Sequence, residues 1–371
     1  MVDSEIELLR SHGHPVETYF RSNDDVAGMS SLTLARHTLW SSRTSHELTE
    51  LIRRFQPDVI HVHNTFPLIS PSLYWVAERA GVPVVQTLHN FRLMCLNALF
   101  LREGKVCEDC MGKVPWRGVA RACYRESRAA SAALAGMLML HRGLGTYQHK
   151  VARYIALNEF CRGKFIEGGL PAERVVVKPN FVDFDAPQPS SRAGLLFVGR
   201  LSVEKGVATL AQAMALLPDV QLRVAGDGPE AGLLDGVAGL TRLGSVPGEA
   251  VRQEMSHAAA LVVPSICYEN FPRTIAEAFA CGTPVIASRI GAMAELVRDN
   301  KTGLLFEPGN PRDLADKVAW AQAHPEEMVA MGRNARAQYE AEFSAEVNYR
   351  RLMGIYDGVL DELREKVTTS K

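Results

Sequence analysis

The sequence predicts an α/β protein built as two doubly wound halves. Short apolar runs alternate with helix-length amphipathic segments along nearly the whole chain, the pattern of a mainly parallel sheet covered by helices. Many of those runs lack the in–out alternation of a half-exposed strand and end in a polar residue or glycine, as buried parallel strands do. One polar, proline-bearing, aperiodic stretch, DAPQPSSRAG at 185–194, divides the alternation into two sets. A length of 371 residues, 47% hydrophobic and 22% charged, suffices for two ordinary cores and is long for one.

In the first set, MVDSEIELLRSHGHP is helical in pattern, with Ile6, Leu8 and Leu9 on one face, and VETYF (16–20) reads as a strand. A helix around 44–55 leads into PDVIHVHN, a buried strand with a polar exit. SPSLYWVAERAG is a helix stopped by glycine, and VPVVQTLHN is another strand with a polar exit. A cysteine-bearing insertion at 95–123 interrupts the rhythm before VARYIALN and RVVVKPNFVD resume it. The second set opens with the strand LLFVGR and the helix VATLAQAMALL. VQLRVAGDGPE, GLTRLGSV, ALVVPS, TPVIAS and TGLLFEPG follow as strands or strand–turn units, with helices between several of them. AEVNYRRLMGIYDGVLDELREK closes the chain as an amphipathic helix. The expected organisation is a first domain at 1–184, a second at 192–343 and a terminal helix at 344–371. A doubly wound domain ordinarily begins with a strand whose first turn is a favoured ligand site. Here the sequence opens in a helix, so the first domain is expected to lack that strand.

A formal net charge of -1 and a pI of about 6.8 exclude a global attraction to nucleic acid or to an acidic membrane. The acidic, helical opening is not a secretory signal, and AASAALAGMLML (129–140) is too short to span a bilayer. Seven cysteines are an odd count for a disulfide framework, which favours a reducing cytoplasm.

The second half carries the clearest ligand chemistry. In LLFVGRLSVEKG a strand runs into Gly199 and Arg200, with Lys205 shortly after. Glycine permits close backbone approach. The two cations suit a diphosphate, arginine supplying directed donors and lysine a point charge, unless the segment is simply a solvated loop. VAGDGPE, with Gly226 and Gly228, is either a second ligand loop or a plain tight turn. In YENFPRTIAEAFACGTPVIAS, Pro272 suits the first turn of a helix. The N–H groups of Asn270, Phe271 and nearby residues would then point toward anionic or hydroxyl oxygen. Glu269 lies in the loop and Glu277 in the helix, able to meet different parts of one extended ligand or merely to be solvated.

In the first half, His61, His63 and Asn64 end one strand and His89 and Asn90 another. Parallel strands deliver such residues to the same carboxyl edge, where hydroxyl recognition or polar lining is expected. No carboxylate accompanies the histidines at ligand spacing in the sequence, which argues against a catalytic metal. Cys95, Cys107, Cys110 and Cys123 form C-x11-C-x2-C-x12-C, a pattern that best suits a structural zinc stapling the insertion, ahead of reduced buried thiols and of disulfides or a redox role. Arg117, Arg121, Arg125 and Arg128, with Lys113, make a locally basic segment that would either touch anionic lipid or a lipid-linked diphosphate, or form a solvated face. No interleaving of aromatic and basic residues supports nucleic-acid binding.

As an ordered set, GRLSVEKG, VAGDGPE and ENFPRTIAEAFACGTPVIAS resemble the donor half of the family 4 retaining glycosyltransferases, and DVIHVHN, VVQTLHN and VVVKPNFVD resemble their acceptor half. The resemblance covers nearly the entire chain. It implies the GT-B fold: two Rossmann-like α/β domains facing a deep interdomain cleft, with the terminal helix crossing back to the first. It further implies transfer of a sugar, with retention, from a UDP- or GDP-sugar to a glycan or lipid-linked acceptor. Such a reaction serves cell-surface polysaccharide or glycolipid synthesis, in the cytoplasm or peripherally at the inner face of the membrane. By that likeness Arg200 and Lys205 hold the diphosphate, and Glu269 orients the donor sugar with backbone donors after it. Glu277 meets the ribose, and His89 reaches the transferred sugar. The catalytic set is then His89, Arg200, Lys205 and Glu269, with Gly199, Gly226, Gly228, Asn270, Phe271, Pro272 and Glu277 binding the donor. His61, His63, Asn64 and Asn90 line the acceptor side, and no catalytic divalent metal is expected. Two departures stand out: the family's opening strand and glycine-rich loop are not represented, and Asn270 stands where the family has glycine. A nucleotide-sugar epimerase of the same fold and a catalytically silent nucleotide-sugar binder are the alternative functions.

Overall fold

The computed structural model describes residues 1–26, 28–184 and 191–369. Residues 185–190 of the expected linker lie outside the described residues. The chain divides into two compact units, one of Met1–Leu99, Glu108–Lys178 and Tyr349–Lys371, the other of Phe100–Cys107 and Pro179–Asn348.

The first unit is built on strands β1 (Ile60–Val62) and β2 (Val84–Thr87). A short hairpin follows in the chain, β3 (Leu101–Arg102) and β4 (Lys105–Val106), and it groups with the second unit. The first unit then adds β5 (Arg153–Ala156) and β6 (Val175–Val177). Its sheet has the order β1-β2-β5-β6, entirely parallel, with His61 opposite Val85 and Ile155 opposite Val176. All four residues of β2 are buried, which explains the unbroken apolar run that encodes it. Val85 and Ile155 pack against Leu352 and Val359 of the helix Ala345–Thr369, whose stretch from Tyr349 onward belongs to this unit.

The strand expected at VETYF is not formed; residues 14–22 carry no regular structure. β1 is an edge strand, and a cavity of about 620 Å³ is lined by Ile60–Asn64, by Val2, Ile6 and Leu9 of the opening helix, and by Met353 and Tyr356. Val16, Thr18, Tyr19 and Phe20 line the same cavity. A strand needs a partner ladder to satisfy its backbone groups. VETYF pairs with no neighbouring strand, so its alternating pattern ends in an irregular segment.

The second unit has six parallel strands, β7 (Leu195–Val198), β8 (Leu222–Ala225), β9 (Leu240–Gly244), β10 (Ala260–Val263), β11 (Val285–Ser288) and β12 (Gly303–Phe306). Their order is β12-β11-β10-β7-β8-β9. Chain order runs outward in both directions from the central pair β7 and β10, so a topological switch point lies between them, where such sheets bind ligands. The apolar residues of β7, β8, β10, β11 and β12 share one core with the helices Val207–Ala215 and Pro311–Ala323.

The cysteine-bearing insertion is turn-rich. Ala98, Phe100, Glu103, Ala122, Arg125 and Glu126 all have φ between 49° and 68°, each a conformation costing about 1–2 kcal/mol for a residue with a side chain. Buried anchors offset that cost: Phe91 and Phe100 are fully buried, and the Arg92 guanidinium lies 5.2 Å from both the Phe66 and the Tyr124 ring centres.

Candidate active site

The loops that leave β7, β8 and β10 meet through their backbones. Gly226 has φ 145°, and a Cβ there would lie 1.9 Å from the Gly199 carbonyl oxygen. One at Gly228 would lie 2.3 Å from that of Leu201, and one at Gly206, with φ 70°, 1.9 Å from that of Pro264. Main-chain hydrogen bonds knit these segments, from Gly199 N–H to Ala225 O (3.0 Å) and from Leu201 N–H to Asp227 O (2.9 Å). The glycines expected to cradle a ligand are therefore required first by loop-on-loop packing.

That packing sets the charged groups. Lys205 Nζ donates to Glu269 Oε1 at 2.6 Å, and the Ser265 hydroxyl donates to the same oxygen at 2.8 Å. Burial acts to lower the Lys205 pKa, but the Glu269 carboxylate outweighs it and leaves the value raised. Arg200 is exposed and enters no ion pair among the described residues. Cys267 is buried, and loss of solvent pushes its thiol up to about 12, so it is no nucleophile.

Pro272 stands at the N-cap of the helix Arg273–Ala280, one position earlier than its expected place in the first turn. Its φ of -69° suits a helix entrance, and no side chain caps the following N–H groups. Asn270 and Phe271 are buried, the Phe271 ring 5.7 Å from that of Phe343. The two glutamates occupy separate environments. Glu269 is held by Lys205 and Ser265, whereas Glu277 pairs with Arg273 Nε at 3.0 Å, four residues back on its own helix. Burial raises the Glu277 pKa, opposed by the Arg273 and Arg252 guanidiniums. Immediately before Glu269, the Tyr268 ring packs edge-on against Phe100 at 6.1 Å, which sets the β3–β4 hairpin beside this loop.

In the first unit the strand ends gather a polar cluster with a member the sequence did not disclose. Glu5, 5% exposed, reaches in from the opening helix. Its Oε2 accepts from Lys178 Nζ at 3.0 Å; its Oε1 lies 3.1 Å from His61 Nδ1 and 3.4 Å from His63 Nε2. The ligand atoms of Glu5, His61 and His63 lie within 4.8 Å of one another, close enough to hold a metal ion. The expectation that no carboxylate accompanies the histidines is thus corrected: it arrives from another element. His61 Nδ1 also lies 2.7 Å from the Tyr356 hydroxyl and its Nε2 2.8 Å from that of Thr87; His63 Nδ1 meets His89 Nε2 at 2.9 Å.

Burial, only partly offset by Glu5, lowers His61 to about 3, and burial with the neighbouring His63 lowers His89 to about 4. Glu5 is held well below its usual range: desolvation acts to raise it, and Lys178 with the two histidines more than reverses this.

Asn64 and Asn90 serve their own turns, Asn64 Oδ1 accepting from Phe66 N–H at 3.3 Å and Asn90 Oδ1 from Arg92 N–H at 3.0 Å. Arg117 and Arg121 both face Asp109, at 3.5 and 2.5 Å, so a single carboxylate offsets one charge of the expected arginine cluster. Cys95 and Cys110 are buried, Cys107 and Cys123 half-buried. Within the first unit, three cysteine-bearing segments converge on Gly118. A Cβ there would lie 2.8 Å from Leu96 Cδ1 and 3.4 Å from Cys110 Sγ, and its carbonyl accepts from Cys123 N–H at 2.9 Å.

Solved structures share this architecture. The Anabaena HepE protein in complex with UDP aligns with a TM-score of 0.66 at 19% identity, covering 95% of this chain and 89% of that one. Sucrose-phosphate synthase from Thermosynechococcus elongatus aligns with a TM-score of 0.68 at 20% identity, covering 96% and 92%. Two Rossmann-like units of this kind are the architecture of the GT-B fold. The family model described as "Glycosyltransferase Family 4" matches residues 2–186, and "Glycosyl transferases group 1" matches 181–338. A D-inositol 3-phosphate glycosyltransferase of Pseudarthrobacter chlorophenolicus is 30% identical over 323 residues, 79% of this chain and 70% of that protein. An alpha-D-kanosaminyltransferase of Streptomyces kanamyceticus is 26% identical over 298 residues, 76% and 72%. The chain belongs to the family 4 glycosyltransferases.

The buried cluster makes the first unit acid-labile. His61 and His89 have folded values below their usual 6.5. The unfolded chain therefore binds more protons as pH falls, and stability is full above that value and lost toward about pH 3–4. Glu5 adds a loss in the same direction at still lower pH. Thermal melts should show the first unit falling as pH drops from 7 to 4, with a shallower slope in His61→Phe. Equal slopes in both proteins would contradict the assignment.

Proposed function

We propose that the second unit binds a nucleoside-diphosphate sugar across the carboxyl ends of β7 and β10, and that the protein transfers the sugar, with retention, to a hydroxyl of a glycan or lipid-linked acceptor. The observation that carries this reading is the Lys205–Glu269–Ser265 contact at the switch point, together with an exposed Arg200 that enters no ion pair among the described residues. Arg200 supplies fixed planar donors and Lys205 a mobile charge for the diphosphate. Glu269, relieved of part of its hold on Lys205, accepts from hydroxyls of the sugar, and the N-terminus of the helix Arg273–Ala280 completes that subsite. Glu277, set apart by Arg273, accepts from ribose hydroxyls.

In the transfer, the bond from the anomeric carbon to the diphosphate oxygen breaks as the bond to the acceptor oxygen forms on the same face. The acceptor proton passes to the departing phosphate oxygen. The cations stabilise the charge that develops on the leaving group, so neither glutamate is needed as a nucleophile. His89 is assigned the contact with the transferred sugar on its match to the family histidine. HepE was solved with UDP-glucose, so a UDP-sugar is the first donor to test and a GDP-sugar the second.

Cytoplasmic location, peripheral at the inner face of the membrane, completes the reading. Exposed Trp116, with the Arg117 guanidinium 5.4 Å from its ring centre, and exposed Leu140 support it; no helix among the described residues is long and apolar enough to cross a membrane. We also propose that Cys95, Cys107, Cys110 and Cys123 hold a structural zinc; the tight C-x2-C pair flanked by one cysteine on each side supports it.

Calorimetric titration with the preferred UDP- or GDP-sugar should show affinity falling at least about tenfold in Lys205→Ala and in Glu277→Ala. Wild-type affinity in both would sink the donor-site assignment. Metal analysis of the purified chain should find close to one zinc per molecule, lost in Cys110→Ser; a stable, metal-free protein rejects the staple.

A further inference from the structure

The histidine cluster holds a chain of proton assignments that the reaction scheme above does not use. Glu5 is 5% exposed, and an ionised carboxylate can only accept. Its Oε2 faces the Lys178 ammonium at 3.0 Å, which balances its charge. A further buried cation here would have no counter-charge, so the histidines are neutral, each with one N–H and one bare nitrogen.

The hydrogen-bond pattern then fixes which nitrogen is which. His63 Nε2 faces Glu5 Oε1 at 3.4 Å, an ion-pair distance at which a bare nitrogen would meet the carboxylate's lone pairs, so the proton is favoured on Nε2 and Nδ1 is left as the acceptor. That Nδ1 meets His89 Nε2 at 2.9 Å, and the one hydrogen between them has to come from His89. His89 Nδ1 is then bare, and it makes no hydrogen bond among the described residues. The other contacts agree. His61 Nδ1 donates toward Glu5 Oε1 and the Tyr356 oxygen, and its Nε2 accepts from Thr87.

We infer that Glu5, through His63, is a positioning residue that fixes His89 as its Nε2–H tautomer and so presents Nδ1 as an acceptor for a substrate hydroxyl. The inference rests on the reading of His89 as a contact to the transferred sugar. Without the carboxylate, either nitrogen of His63 can carry the proton, and His89 loses its bias. A metal ion at Glu5, His61 and His63 is the rival arrangement. It would have to displace both imidazole protons beside the Lys178 ammonium.

Long-range 1H–15N spectra of the full chain, labelled at histidine, read the tautomers directly. His89 should show a protonated Nε2 and a bare Nδ1 at neutral pH. In Glu5→Gln, whose amide both donates and accepts, His63 and His89 should become mixtures of tautomers. Turnover should fall by about tenfold or more, with KM for the nucleotide sugar nearly unchanged. Because Glu5→Gln leaves Lys178 without its counter-charge, a second pair guards against misfolding. His63→Gln keeps an oxygen for His89 Nε2–H and should retain the tautomer, whereas His63→Leu should scramble it.

A wild-type His89 protonated on Nδ1 would overturn the inference. So would a His63→Leu spectrum unchanged at His89, or stoichiometric metal at Glu5, His61 and His63. The spectra need no turnover, so an inactive wild-type protein counts against the proposed function while the tautomer assignment stands or falls on its own reading.

Discussion

How closely three loops can approach at the carboxyl ends of β7, β8 and β10 governs what the second unit can bind. Parallel order sends those loops to one edge of the sheet. Gly206 against Pro264, Gly226 against Gly199 and Gly228 against Leu201 then bring backbone to backbone, at separations a single Cβ would forbid. Lys205 precedes one of these contacts, and Glu269 follows the Pro264–Ser265 turn that makes it. The charged pair is thus a consequence of the packing. The geometry of the proposed ligand edge is built into the main chain before any side chain is considered.

The first unit solves a different problem. A carboxylate and an ammonium withdrawn from water are costly singly and tolerable together. Glu5 and Lys178 answer each other, and three neutral histidines complete the network. Their strand ends come together because β1 and β2 are parallel neighbours. The price of this polarity at a sheet edge is acid sensitivity, and its return is a histidine held in one protonation state.

Much of this was legible in the residues themselves. The apolar runs located both sheets, and the sequence reading put Arg200 and Glu269 in loops and Glu277 in a helix, where the structure has them. Three things were not. VETYF has a strand's pattern, but a pattern cannot report whether a partner ladder lies beside it. Glu5 escaped notice because its meeting with His61 and His63 is made by tertiary packing, far outside any ligand spacing; Lys178 was hidden in the same way. The grouping of Phe100–Cys107 with the second unit, through Phe100 and Tyr268, likewise has no local signal. Asn64 and Asn90 were recognisable as polar strand exits, but only their bonds to Phe66 and Arg92 show them capping turns.

Hydrogen–deuterium exchange with and without a saturating nucleotide sugar tests the central claim most directly. Adding donor should slow exchange in residues 199–206, 226–228 and 265–275, with little change at β9 or β12. Binding without protection of these three segments would contradict it.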